Sequence, residues 1–267
     1  MPHIRKNTGN QTVFFYILIF FLLLAACKQN DVLVSLDTQK LFRVYHWQPL
    51  WAECKNQEEK WPAQEKEMLA FYQNKIQEEP QNPEWYFLYG RLLGMMGETE
   101  SSIFFFQKAL QKDYESLWGH YGMAMYYLQK KDIFQAQIYF SQCLFYEENF
   151  VPALLGMAKI SLEQSPSLSI GYLKKCIALM PHDASLHNSL GNLYFFHTKE
   201  KNKAEPYLTE AVRLSPQNPV FLKELALFYF DAQKNKECIE LLRKLMDLLP
   251  DRKQKQKIFF LMKKMMK

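Results

Sequence analysis

Two apolar patterns divide the chain. Residues 13–26, Val13 to Ala26, are an unbroken apolar run, whereas from about residue 60 onward apolar positions recur three and four apart between prolines. That second spacing marks one buried stripe on a helix. Between Pro62 and Pro80, the residues Met68, Leu69, Phe71, Tyr72 and Ile76 keep the register of one helix. Further on, small and bulky positions predict pairs of short helices. Each pair has a small residue followed three places later by an aromatic or leucine, then a small–bulky–small series, often with a closing proline. Near the end, Ile258, Leu261, Met262 and Met265 again fall at helical spacing.

The helix pairs repeat. The clearest copy holds Leu190-Gly191, Tyr194, Ala204, Leu208, Ala211, Leu214 and Pro216, and the next holds Leu225-Ala226, Tyr229, Cys238, Leu242, Leu245, Leu248 and Pro250. Gly191 to Ala226 is 35 residues and Pro216 to Pro250 is 34. Three looser copies precede them: Tyr89-Gly90 with Ser102, Phe106 and Ala109; Ala124 and Tyr127 with Ala136, Phe140 and Cys143; and Met157-Ala158 with Leu173, Cys176 and Pro181. Gly90 to Ala124 and Ala124 to Ala158 are each 34 residues. A fixed period of this length is the mark of stacked supersecondary units, none of which buries its apolar face alone. Small residues belong where paired helices cross, and prolines end the second helices.

These residues resemble the tetratricopeptide repeat. The resemblance covers residues 83–250 and implies an all-α, right-handed α-solenoid of about five helix–turn–helix repeats with a concave inner face and a capping helix at its C-terminus. Residues 41–82, with Trp47, Trp51, Pro49 and Cys54, are expected to form an N-terminal cap or a degenerate repeat. Residues 251–267 hold seven basic residues and one acidic residue and are expected to form a basic amphipathic capping helix. An amphipathic helix of this charge also suits an anionic lipid surface, although sealing the repeat stack is the simpler role.

The N-terminal run has a separate meaning. Arg5 and Lys6 precede fourteen apolar residues, too few to span a hydrocarbon core of ~30 Å as a helix, and small residues follow. Leu24-Ala25-Ala26-Cys27 resembles the lipobox of bacterial lipoproteins. That resemblance implies a lipoprotein signal peptide at residues 1–26, acylation of the Cys27 sulfur, a tether at 27–40, and a chain held on the cell envelope through its lipids. Lys28 stands where aspartate acts as an inner-membrane retention signal in enteric-type bacteria, so an outer-membrane position facing the periplasm is favoured.

Composition narrows the chemistry. Leucine occurs 36 times against 7 valines and 6 threonines, which argues against a mainly β fold. Nine glycines, none spaced as a phosphate-cradling loop, argue against nucleotide chemistry. Without residues 1–26 the chain keeps 31 basic and 28 acidic residues, a balance that gives no reason to expect nucleic acid. Cys143, Cys176 and Cys238 occupy small-residue positions of second helices and read as compact hydrophobes, not as disulfide or zinc ligands. His120 and His187 sit at equivalent places and suggest packing between helices, while Glu78-Glu79 and Glu147-Glu148 fall at helix ends. No catalytic motif, metal site, cofactor or small-molecule substrate is indicated, and the chain reads as non-catalytic.

The remaining candidate site is the concave groove. In this family the first helix of each repeat lines it, which selects Phe87, Arg91, Trp118, Tyr121, Met125, Leu155 and Lys159 in the early repeats, then Asn188, Asn192, Phe195, Lys223 and Leu227. The early part is expected to be an open apolar and aromatic anchor surface. Asn188 and Asn192 lie at i, i+4, and their amides can both donate to and accept from an extended peptide backbone. Lys159 and Lys223, expected to flank them, would attract an acidic stretch or a free carboxylate. The expected role is a membrane-anchored scaffold for a protein partner in the envelope. The alternatives are an assembly factor for an outer-membrane machine of pilus or secretin type, or an accessory subunit of an envelope enzyme such as a cell-wall hydrolase.

Overall fold

The computed structural model describes residues 61–265, all of whose regular elements are helical. The signal peptide, the Cys27 site, the tether and the aromatic stretch before residue 61 lie outside the described residues. The helices form two compact units, divided between Pro181 and His182. The N-terminal unit contains α1 (Trp61–Glu78), α2 (Pro83–Met95), α3 (Thr99–Lys112), α4 (Leu117–Gln129), α5 (Ile133–Tyr146), α6 (Val151–Gln164) and α7 (Pro166–Leu179). The C-terminal unit contains α8 (Ala184–His197), a 3-10 turn at Lys201–Lys203, α9 (Ala204–Leu214), α10 (Pro219–Asp231), α11 (Asn235–Leu248) and α12 (Arg252–Met265). Consecutive helices pack as hairpins, α2 with α3, α4 with α5, α6 with α7, α8 with α9 and α10 with α11. This is the helix–turn–helix repeat architecture that the spacing predicts.

Helix boundaries follow from local chemistry. Asn82, Ser116, Asp183 and Asn218 each cap a first helix, accepting from the backbone N–H of Glu84 (3.1 Å), Gly119 (3.2 Å), Ser185 (2.8 Å) and Val220 (2.9 Å). Each satisfies one of the donors a helix start leaves unpaired. At the corresponding start of α6 stands Phe150, whose side chain makes no cap and is instead buried against Trp118 at 5.1 Å. Three hairpin turns place a residue in the left-handed region: Gly97 (φ 88°), Lys131 (φ 61°) and Gln233 (φ 57°). Second helices stop at Leu179, Leu214 and Leu248, two residues before Pro181, Pro216 and Pro250.

Close approach of helices explains the small residues. A Cβ on Gly90 would meet Phe105 Cβ at 2.9 Å and Ser102 O at 3.0 Å, and one on Gly191 would meet Leu208 Cγ at 2.7 Å. At the equivalent crossings, Ser169 Oγ donates to Ala158 O at 2.8 Å and Cys238 Sγ to Ala226 O at 3.2 Å. One turn on, Tyr127 stacks on Tyr139 at 5.6 Å and Tyr194 on Tyr207 at 5.8 Å, the same contact in both units. Gly122 and Gly156 carry a second kind of contact, between successive hairpins. Their missing Cβ atoms leave room for the rings of Phe106 and Phe140, which are buried.

The two cores differ in composition. In the N-terminal unit Phe87, Phe106, Trp118, Tyr121, Phe140 and Phe150 form one connected aromatic seam, with ring centroids 5.1–6.3 Å apart. In the C-terminal unit Leu186, Leu190, Leu208, Leu222, Leu225 and Leu242 are buried. Its last helix, α12, packs on α11 and buries Met262. Among the described residues no helix is long and apolar enough to cross a membrane.

Candidate peptide-binding site

The structure separates the expected groove residues into two groups. Phe87, Trp118, Tyr121 and Leu155 are buried, and the first three belong to the aromatic seam. An open apolar anchor surface at these positions is therefore corrected: the side chains are already spent on packing α2, α4 and the start of α6 together. Burial also raises the Tyr121 phenol pKa, against the opposing pull of the Arg91 charge. Met125 is exposed, while Arg91 and Lys159 are half-buried on α2 and α6.

The second group lies wholly in the C-terminal unit. Asn188 and Asn192 sit one turn apart on α8, and Lys223, Glu224 and Leu227 sit on α10. Asn192 Nδ2 donates to Glu224 Oε2 at 2.7 Å, joining the two first helices. Asn192 Oδ1 is buried without a partner. Asn188 is 1% exposed, and neither its Nδ2 nor its Oδ1 has a well-formed hydrogen bond. Burial raises the Glu224 carboxyl pKa, and the neighbouring Asn192, Asn188 and Lys223 pull it partly back. Phe195 is buried beside the cluster, packed on Phe228 at 5.5 Å and capped by Lys201 Nζ at 5.2 Å.

Each orphaned buried polar group costs roughly 1–3 kcal/mol. Two such oxygens, Asn188 Oδ1 and Asn192 Oδ1, on neighbouring amides are more than a repeat core needs, because leucine at the same position would fill the space without penalty. A carboxylate and two amide acceptors within one patch match the N–H groups of an extended backbone. Glu224 is the member that sequence reasoning missed, since acidic residues read by default as solvated. Its charge changes the expected ligand. A cluster centred on a carboxylate opposes an acidic stretch or a free C-terminus, although Lys223 stands beside it.

Other reactive groups serve packing. His120 Nε2 lies 2.7 Å from Tyr114 O and its ring stacks on Tyr146 at 5.6 Å. Burial lowers its pKa, more than the Tyr114 carbonyl and Asp113 raise it. His187 lies tilted on Tyr207 at 6.3 Å. Cys143, Cys176 and Cys238 are buried thiols, and burial pushes the pKa of Cys176 and of Cys238 up to about 12 and that of Cys143 beyond. Among the described residues no three His, Cys, Asp or Glu side chains gather as a metal site. A notch lined by Met68, Tyr72, Leu88, Arg91, Leu92 and Met95 has about 10 Å³ of free volume, room for one water.

Residues 184–218, which include Asn188 and Asn192, match the family model of the tetratricopeptide repeat. No curated protein matches the chain. Among solved structures it is similar to YrrB, described as a tetratricopeptide-repeat protein with an unusual peptide-binding site, at 19% identity and a TM-score of 0.53, covering 69% of this chain and 95% of that one. It is also similar to pilF of Pseudomonas aeruginosa, at 16% identity and a TM-score of 0.60 over 70% and 88% of the two chains. MamA from Desulfovibrio magneticus gives 19% identity and a TM-score of 0.55 over 62% and 94%. At these identities the likeness establishes the fold alone, a tetratricopeptide-repeat arrangement.

Proposed function

We propose that this protein is a non-catalytic scaffold, anchored in the bacterial cell envelope by lipid on Cys27, that holds an extended segment of a partner protein against the Asn188–Asn192–Glu224 cluster. The observation that carries this reading is the pair of amide oxygens Asn188 Oδ1 and Asn192 Oδ1, buried without a hydrogen-bond partner beside Glu224. Both oxygens are covered in the unbound chain, so a partner backbone that displaced their cover and donated to Asn188 Oδ1 and Asn192 Oδ1 would relieve the penalty those atoms impose. The partner segment is neutral or basic near the cluster, because Glu224 sits in its middle. The peptide-binding site named for YrrB supports such a use of this fold. The anchor rests on the lipobox resemblance, and Lys28 after Cys27 favours the outer membrane, facing the periplasm. A transient assembly factor for a pilus- or secretin-type machine is the second reading. An accessory subunit of an envelope enzyme would use the same cluster.

Capture from detergent-solubilised envelopes, with wild-type chain and Asn188→Ala/Asn192→Ala as baits, tests the cluster. The variant is expected to retain its partner at least about tenfold more weakly, equivalent to 1.4 kcal/mol. Equal retention by a folded variant overturns the cluster's role. Metabolic labelling with a radioactive fatty acid, in wild type and Cys27→Ala, tests the anchor; equal labelling rules it out.

A further inference from the structure

Helix α12 does more than close the last hairpin. Its inward side, with Met262 buried and Ile258 and Leu261 half-buried, packs on α11. A closing helix needs only a polar outer side. Instead, Phe259 is 54% exposed and Phe260 71% exposed. Arg252, Lys253, Lys257 and Lys263 are exposed on the same helix, Lys255 is half-buried, and the helix contains no acidic residue. Asp251, just before it, is occupied in capping, its Oδ1 accepting from Lys253 N at 2.9 Å.

We infer that the outward side of α12 lies on an anionic phospholipid surface, with Phe259 and Phe260 entering the headgroup–acyl boundary and the surrounding cations reaching the phosphates. Two adjacent rings on a convex cylinder have no walls to receive a protein side chain. They match a planar, deformable apolar layer, and long basic side chains flanking them extend outward to charge at its edge. Each lysine or arginine near such a surface adds attraction that vanishes on neutral lipid. The contact is independent of any anchor at Cys27 and of the Asn188 cluster.

Hydrogen exchange of the 252–265 backbone in the full-length protein tests this, with vesicles of pure phosphatidylcholine and of phosphatidylcholine containing phosphatidylglycerol. Anything that residues 13–26 or Cys27 contribute brings the chain to both vesicles alike, so the neutral one controls for proximity. Exchange is expected to slow by about tenfold or more on the anionic vesicle only. The slowing is expected to disappear in Phe259→Ser/Phe260→Ser and in Lys253→Gln/Lys257→Gln, whose substitutions touch exposed residues and leave exchange in α8 unchanged. Equal slowing on both vesicles, or none, overturns the inference. So does slowing without lipid that grows with protein concentration, which would make the face a contact between copies. Equal slowing by polyglutamate would assign it to an acidic protein instead and likewise overturn it.

Discussion

In the N-terminal unit the buried seam is built from six interlocked aromatic rings, Phe87 to Phe150, and the first helices spend their side chains on it. In the C-terminal unit leucines carry most of the packing beside the buried Tyr194, Phe195, Phe221 and Phe228, and positions on α8 and α10 hold Asn188, Asn192 and Glu224. The hairpins share their close crossings, and one hairpin in each unit carries a stacked tyrosine pair, so the difference lies in what the first helices bury. Aromatic filling suits stability and leaves little for recognition. Aliphatic filling with buried, unpaired amide oxygens gives up stability, the cost that the proposed partner would offset.

The comparison can be broken most severely at Phe140, which is fully buried where Gly156 makes way for its ring. Phe140→Ala is expected to cost about 3–5 kcal/mol in urea unfolding. A loss no greater than an exposed-site substitution would mean that the seam contributes little. In the other unit, Asn188→Leu should raise stability by about 1–3 kcal/mol while partner retention falls, because an apolar group ends the orphaned amide's penalty. Lower stability in that variant would show that the amide is satisfied in the folded protein.

The units should also respond to pH in opposite directions. His120 has a folded pKa below its ordinary 6.5, so its contribution is present above that value and is lost as pH falls through the folded pKa. Glu224 has a folded pKa above its ordinary 4.5, so its contribution is present below that value and is lost as pH rises through the folded pKa. The protection of α4 against hydrogen exchange, corrected for the intrinsic pH dependence of amide exchange, should therefore fall on acidification below about pH 6.5, and His120→Phe should flatten the change. The protection of α10, corrected in the same way, should fall as pH rises above about 4.5, and Glu224→Gln should remove that slope. Parallel slopes in both helices would refute the assignment. The smallest effect is expected at Gly171, inside α7 with nothing within 4 Å of an added Cβ. Gly171→Ala should stabilise by up to about 1 kcal/mol, read as a rise in Tm.

Period and fold were legible because each hairpin repeats the same crossing. Gly90, Gly191 and Ala226 lie at such crossings, and Pro181, Pro216 and Pro250 stand just beyond second-helix ends. A second signal of equal clarity is the caps Asn82, Ser116, Asp183 and Asn218, which carry the repeat through their side-chain oxygens. Gly122 and Gly156, passed over for Ala124 and Ala158, mark contact between hairpins, which a pattern within one hairpin does not encode. The groove was half legible. Position along a first helix places a residue on the inner side, but whether aromatic neighbours from the next hairpin cover it depends on their size, as Trp118 and Phe150 show. Glu224 was hidden because its partner is 32 residues away, on another helix.

The three sealed thiols have a practical use. Cys143 in α5, Cys176 in α7 and Cys238 in α11 are buried, with pKa values raised by burial, and so resist alkylation while their helices stay closed. Each reacts only when its own hairpin opens. Mass spectrometry of the alkylated peptides would thus time the breathing of three separate hairpins in one unmodified sample, giving the molecule its own set of clocks.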